Sequence, residues 1–341
     1  MTLGSTLATP IVPLALTLGD AAGIGPEIVV KLHMASLPAP CVVYGDAGAL
    51  QRACNTLNAP LRIVELVDVS AFNTYADKAG CLFVRPTSPA LPANLPLGRI
   101  DARAGQAAYD ALCLAIDDAM LGKVSAIVTA PLNKEAMHAA GLDFPGHTEI
   151  LAQRSGTPHV AMMLVNDQLR VILATIHIAL SEVSPTLTQE LELRTIELAQ
   201  QACQAMGIAS PRIGVAGLNP HAGERGKFGR EDLDIIAPAI AKAQAQGIQA
   251  SGPWPGDTLF MRARNGEFDI CVAQYHDQGL IPIKYLGIDQ GVNITVGLPF
   301  VRTSVDHGTA FDIAGKGVAD PSSLHQAFTL ALNMLAKKNK G

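Results

Sequence analysis

Residues 269–317, DICVAQYHDQGLIPIKYLGIDQGVNITVGLPFVRTSVDHGTAFDIAGKG, carry the reading of the fold. Two short apolar runs, DICVAQ (269–274) and VNITVG (292–297), have the length and the β-branched content of buried strands. Around them stand His276, Asp277, Lys284, Asn293, Arg302, Thr303, Asp306 and His307, set among glycines. A core needs none of these polar groups, because burying each one without a partner costs free energy. A site for a small anionic ligand needs most of them.

Outward from that stretch the same kind of apolar run recurs. PLALTL (13–18), CVVYG (41–45), SAIVTA (125–130), VAMMLV (160–165), LRVILATI (169–176) and RIGVAGL (212–218) read as strands. Helical patterns lie between them, the longest over 102–121, 187–207 and 322–338. This alternation predicts α/β architecture, with largely parallel sheets covered by helices on both faces. VAMMLV and LRVILATI, separated only by NDQ, predict a local hairpin instead. A length of 341 residues suggests two lobes. The Pro-rich stretch RPTSPALPANLPLG (85–98) reads as an excursion, not a linker.

Composition narrows the function classes. The chain is 49% hydrophobic and only 16% charged, against about 25% charged in typical globular proteins. Net charge is −5 with no basic block, which argues against nucleic acid as a partner. No apolar run reaches the ~18 residues a membrane span needs. The first ten residues lack a basic and apolar leader pattern and read as a disordered tail. The six cysteines form no CxxC pair and read as reduced, buried thiols. A soluble, cytoplasmic protein is the expectation.

Three of the nine histidines share one placement: His177 ends LRVILATI, His221 follows RIGVAGLNP and His276 follows DICVAQY. Each lies just past the carboxyl end of an apolar strand, where parallel α/β sheets place ligands. Three imidazoles suit zinc or another borderline divalent ion; they equally suit three unrelated loop positions. Lys284, Asn293 and Arg302, with His147 and Thr148 in FPGHTEI, form a candidate anion site. Arginine brings a bidentate fork to phosphate or carboxylate, and lysine a compact charge. TLGDAAGIGPEI (17–28) lies between a strand and a helix, with Pro26 suited to the first helical turn. It does not complete GxGxxG, so a Rossmann reading is weak. Asp277, Lys134 and Asp257 are candidates for proton transfer, Asp277 also for orienting a ligand histidine and Asp257 also for capping a helix at TLFMRA.

TLGDAAGIGPEI, TAPLNKEAMHAAGLDFPGHTEILA, GLNPHAGERGKFG and the run from Tyr275 onward together resemble the 4-hydroxythreonine-4-phosphate dehydrogenase family of pyridoxal phosphate (pyridoxine) biosynthesis. The one small departure is Ala21, where the family usually has proline. DHGTAFDIAGKGVADP (306–321) is also similar to the nucleotide loop of isocitrate and isopropylmalate dehydrogenases. The resemblance implies a fold of that kind with two α/β/α lobes. Residues 1–135 with 290–341 would form a discontinuous nucleotide-side lobe, and 136–289 a second lobe with the metal ligands and dimer contacts. It implies that His177, His221 and His276 bind one divalent ion (zinc, magnesium or cobalt). His147, Thr148, Lys284, Asn293 and Arg302 would contact the substrate, and Asp306, His307 and Asp312 the NAD or NADP. The family's active site is shared across a homodimer.

The activity so implied is oxidation of 4-phosphohydroxy-L-threonine to 2-amino-3-oxo-4-phosphooxybutanoate. That β-keto acid then loses carbon dioxide to give 3-amino-2-oxopropyl phosphate. A paralogue acting on D-threonate or D-erythronate 4-phosphate is the alternative, since such substrates need the same phosphate and metal groups. A dihydrodiol carboxylate dehydrogenase has less use for GHTE and GLPFVRTS. A phosphate acyltransferase of similar architecture needs no histidine triad.

Overall fold

The computed structural model describes residues 11–35, 37–75, 78–287 and 291–338. The expected N-terminal tail lies outside these described residues. The chain divides into two compact units, Met1–Ala140 with Thr309–Ala319, and Gly141–Gly308 with Asp320–Gly341.

The first unit is a parallel sheet. Its strands are β1 (Leu14–Thr17), β2 (Cys41–Tyr44), β3 (Arg62–Glu65), β4 (Cys81–Arg85) and β5 (Ala126–Thr129), in spatial order β3-β4-β2-β1-β5. β1, β2 and β5 are buried at every position, so both faces are covered. That burial is why they read as continuous apolar runs and not as alternating ones. The connecting helices are α1 (Gly25–Met34), α2 (Ala47–Leu57), α3 (Ala102–Met120) and α4 (Lys134–Ala139). Asp46, Asp101 and Asn133 start α2, α3 and α4 by accepting a hydrogen bond from a first-turn amide. Pro26 stands in the first turn of α1, where its missing N–H costs nothing.

The second unit contains α5 (His147–Ser155), β6 (Ala161–Val165), β7 (Arg170–Leu173), α6 (Leu180–Thr186), α7 (Gln189–Ala205), β8 (Ile213–Ala216), α8 (Ala237–Ala245), β9 (Ala250–Trp254), α9 (Gly256–Arg264), β10 (Ile270–Ala273), α10 (His276–Tyr285), β11 (Val292–Val296), β12 (Val301–Val305) and α11 (Ser322–Lys338). Its strand order is β12-β11-β6-β7-β10-β8-β9. β7, β10, β8 and β9 run parallel, while β11 is antiparallel to both β12 and β6. β6 and β7 form the expected hairpin. The NDQ turn closes it, with the Asn166 carboxamide oxygen accepting from the amides of Gln168 and Leu169.

Every strand expected from an apolar run is present. β3, β4, β9 and β12 were not expected, since each is short, partly exposed or carries polar residues. The lobe boundaries differ from the sequence reading in one respect. Residues 291–308 and 320–338, expected in the nucleotide-side lobe, belong to the second unit. The reason is pairing: β11 is hydrogen-bonded between β6 and β12, and α11 packs on β12 through Thr303, whose hydroxyl donates to the Ala327 carbonyl. Only Thr309–Ala319 joins the first unit. There α1 holds it: Ile24 N–H donates to Thr309, the Glu27 carboxylate accepts from the Gly315 amide, and Lys31 Nζ donates to the carbonyls of Gly317 and Ala319. Gly23 permits this approach, since a Cβ there would lie 2.8 Å from the Thr309 carbonyl oxygen.

Candidate functional site

β7, β10 and β8 are adjacent parallel strands, and His177, His276 and His221 follow their carboxyl ends in that order. Backbone bonds continue the alignment past the strands. Ala174 N–H donates to Ala273, and both the amide and the hydroxyl of Thr175 donate to the Gln274 carbonyl. The His177 and His276 rings stand 5.9 Å apart, centroid to centroid. His276 opens α10, and its Nδ1 lies 2.7 Å from Oδ1 of Asp277. A carboxylate at that nitrogen fixes the ring and directs Nε2 outward, as an orienting partner of a ligand histidine does.

His221 lies on a different wall. With Asp257, Tyr275, Asp277 and Gln278 it lines a cavity of about 770 Å³. His177 and His276 line a neighbouring hollow of about 340 Å³, and Tyr275 and Asp277 border both. Among the described residues, no three His, Cys, Asp or Glu side chains stand at the spacing of a finished metal cage. The donor set and its strand-end placement fit a borderline divalent ion. The His221 imidazole is the member that stands apart.

The backbone that carries His221 is unusual. From His221 to Arg225, five successive residues have positive φ, between 39° and 76°. Four of the five are not glycine, and each such residue costs roughly 1–2 kcal/mol. Contacts at the base of the loop offset that strain. Gly217 N–H donates to Trp254, and Gln278 Nε2 donates to the Gly217 carbonyl. Gln278 Oε1 accepts from the Gln274 amide, so one side chain ties the ends of β8 and β10.

The candidate anion residues divide into two groups. Arg302, on β12, is 2% exposed; its Nη1 donates to Thr295 Oγ1 at 2.9 Å and to Asn293 Oδ1 at 3.4 Å. Burial pushes its guanidinium down to about 9. It borders a hollow of about 320 Å³ formed with α7 and α11. Lys284 pairs instead with Asp306, Nζ to Oδ2 at 3.1 Å. Burial raises the Asp306 carboxyl, against the opposing pull of Lys284, His307 and His276. Asp306, expected to meet nucleotide, is therefore a neighbour of the anion and metal candidates. His307 Nδ1 lies 2.9 Å from the Gly308 carbonyl oxygen. His147 and Thr148 form the first turn of α5, half-buried, after Gly146.

Three expected residues stand elsewhere or act differently. Lys134 opens α4 and Asp312 lies in Thr309–Ala319; both are exposed and both belong to the first unit. Asp257 does not cap α9. Pro255 is the capping position and Asp257 lies two residues inward of it, in the first turn, with no side-chain cap bond, lining the larger cavity.

Sequence reasoning passed over four buried polar residues. Asp20, in the first unit, accepts from the Ala22 amide, and burial raises it to about 6. Asp232 receives the amides of Leu218 and Asn219. Gln274 ends an apolar strand yet donates to the Ala216 carbonyl and to Glu192 Oε1. Glu192 is wholly buried, and desolvation lifts it from 4.5 to about 7. A carboxyl raised on folding contributes stability that is complete below 4.5 and is lost as pH rises through about 7. We therefore expect Glu192→Gln, which keeps the acceptor for Gln274, to match the native protein near pH 4.5 and exceed it at pH 8 by on the order of 3 kcal/mol. Urea unfolding at the two pH values measures this; an equal gap at both would refute it.

Comparison with known proteins gives these groups a context. Residues 37–331 match the family described as "Pyridoxal phosphate biosynthetic protein PdxA". The chain is 51% identical over 329 residues, 94% of its length and 95% of the relative's, to a 4-hydroxythreonine-4-phosphate dehydrogenase of Beijerinckia indica subsp. indica. It is 47% identical, over 95% of its length and 98% of the relative's, to a D-threonate 4-phosphate dehydrogenase of Cupriavidus necator. The solved structure of a putative 4-hydroxythreonine-4-phosphate dehydrogenase from Salmonella typhimurium superposes with a TM-score of 0.84, at 43% identity, covering 95% of this chain and 99% of that one. With matches that run almost from end to end and a fold that superposes so closely, the chain belongs to the PdxA family.

Proposed function

We propose that this enzyme oxidises 4-phosphohydroxy-L-threonine with NAD or NADP and one divalent metal ion, and that the β-keto acid formed loses carbon dioxide to give 3-amino-2-oxopropyl phosphate. As a member of a dehydrogenase family the chain is an oxidoreductase acting on a CH–OH group, and a nicotinamide accepts the hydride. The observation that carries the metal-dependent reading is the placement of His177, His276 and His221 past the ends of three neighbouring parallel strands. A divalent ion held there would acidify the substrate hydroxyl and polarise the keto product. Asp277 holds the His276 ring. Arg302 and Asn293, with Lys284, His147 and Thr148, would take the phosphate and carboxylate. Asp277, Asp257 and Lys134 are the candidates for proton removal, and Asp306, His307 and Asp312 for nucleotide contact.

The relative from Beijerinckia supports the amino-acid phosphate as substrate. The relative from Cupriavidus, almost as similar, favours a second reading in which D-threonate 4-phosphate is oxidised at the same site. A homodimer sharing its sites is supported by apolar side chains around the larger cavity, where Met261, Ile281 and Tyr285 are 58%, 64% and 89% exposed. Among the described residues no helix is long and apolar enough to cross a membrane.

NADH formation by metal-loaded protein, offered the two phosphates side by side, tests the reading. A higher kcat/KM for 4-phosphohydroxy-L-threonine is expected. Preference for D-threonate 4-phosphate would assign the chain to sugar-acid catabolism, and inertness toward both would overturn the phosphate site.

A further inference from the structure

The left-handed turn at His221–Arg225 has few backbone bonds of its own, Ala222 N–H to Asn219 and the amides of Lys227 and Phe228 to Glu224 and Gly223. Its residues follow Gly217–Asn219, and all three of those positions face one carboxylate. Asp232, 0% exposed, accepts from Leu218 N–H at 2.8 Å through Oδ1. Its Oδ2 accepts from Asn219 N–H at 3.2 Å and from Asn219 Nδ2 at 2.9 Å. Glycines make the space: a Cβ on Gly217 would stand 2.7 Å from Oδ1, and one on Gly223 3.1 Å from Oδ2. Asp232 itself begins a widened π-type turn over Asp232–Ile236, a local expansion found often beside functional sites. Its neighbour Glu231 completes the clamp, accepting from Asn219 Nδ2 at 2.8 Å and from the Ser184 hydroxyl at 2.6 Å.

Two of the bonds go to backbone amides in a loop with no ladder of its own, and the carboxylate that receives them is out of water. Charge-assisted bonds of this kind are about twice as strong as neutral ones. A run of positive φ in non-glycine residues persists only where its surroundings over-determine it. Here the surroundings are Asp232 on one side and Gln278 on the other. The side chain at the head of the constrained run is His221.

We propose that Asp232 is a positioning residue: its carboxylate holds the base of the left-handed turn and thereby fixes where the His221 imidazole is presented. The consequence for turnover rests on the reading of His221 as a metal ligand; the grip on the turn does not.

Asp232→Asn keeps the shape but replaces one acceptor oxygen with an N–H that faces donors. Asn219→Ala removes only the side-chain bond and serves if the first variant fails to fold. Amide hydrogen exchange on the unloaded protein reads the grip directly. Exchange across residues 217–226 is expected to rise at least about tenfold in Asp232→Asn and less in Asn219→Ala, with β10 and α11 unchanged. Trypsin cleavage after Arg225 and Lys227, both exposed, should accelerate in parallel. In metal-loaded enzyme kcat should fall about 10–100-fold, the range for loss of a ligand's support, while KM for NAD stays within about twofold. Native exchange rates in both variants would overturn the proposal. Faster exchange with native kcat would overturn the positioning role if His221→Ala is inactive. If His221→Ala is itself fully active, the metal reading fails, and faster exchange still upholds the grip on the turn.

Discussion

His221→Ala is expected to lower kcat by about 10³-fold or more, equivalent to about 4 kcal/mol of barrier, and to reduce the bound metal in parallel. The prediction follows from the wall on which His221 stands. His177 and His276 already share a hollow, and the third imidazole comes from the strand on the far side of β10. If the three imidazoles hold the ion as proposed, loss of one would leave two, too few for a catalytic site of the kind that holds zinc. Alanine also changes the backbone, because position 221 has φ of 54° and histidine tolerates that region better than alanine does. His221→Asn separates the two effects. Asparagine accepts left-handed backbone readily, so this variant keeps the turn and removes only the imidazole. Both variants should be inactive, and the asparagine variant should melt close to the native protein. Full activity in His221→Asn would remove His221 from the metal site, whatever alanine does.

The sequence exposed the parts of this molecule whose physics is local. Fully buried strands such as β1, β5 and β10 appear as apolar runs because neither face meets water. The three histidines were legible because each directly follows such a run. What stayed hidden depends on partners far away in the chain. β12, VRTSV, reads as polar, yet Arg302, Thr303 and Ser304 are all buried because β11 and α11 cover them. The split at Gly308 depends on Lys31 and Glu27, nearly three hundred residues earlier. Asp232 lies in an ordinary surface-like string, GREDLD, and only the folded loop brings its oxygens under Leu218 and Asn219. Lys284 and Asp306 came from different expected sites, and a 3.1 Å ion pair joins them.

Arg302 offers a test that separates phosphate binding from nucleotide binding. A guanidinium on a residue only 2% exposed, its pKa pushed down to about 9, is a cation whose burial costs free energy. Burial pushes its pKa below the ordinary 12.5, so at neutral pH the charge costs stability. Arg302→Met, apolar and similar in length, removes a buried charge but also the donor to Thr295 and Asn293, two effects of opposite sign, so the unfolding midpoint is expected to shift little. The same substitution should raise KM for the phosphorylated substrate about 100-fold, or about 2.7 kcal/mol, while KM for NAD stays within about twofold. A purely structural arginine would leave that KM unchanged. A phosphate bound beside Arg302 would offset part of the cost of burying its charge. Added inorganic phosphate should therefore stabilise the native protein more than Arg302→Met, and equal shifts in the two would place the anion elsewhere.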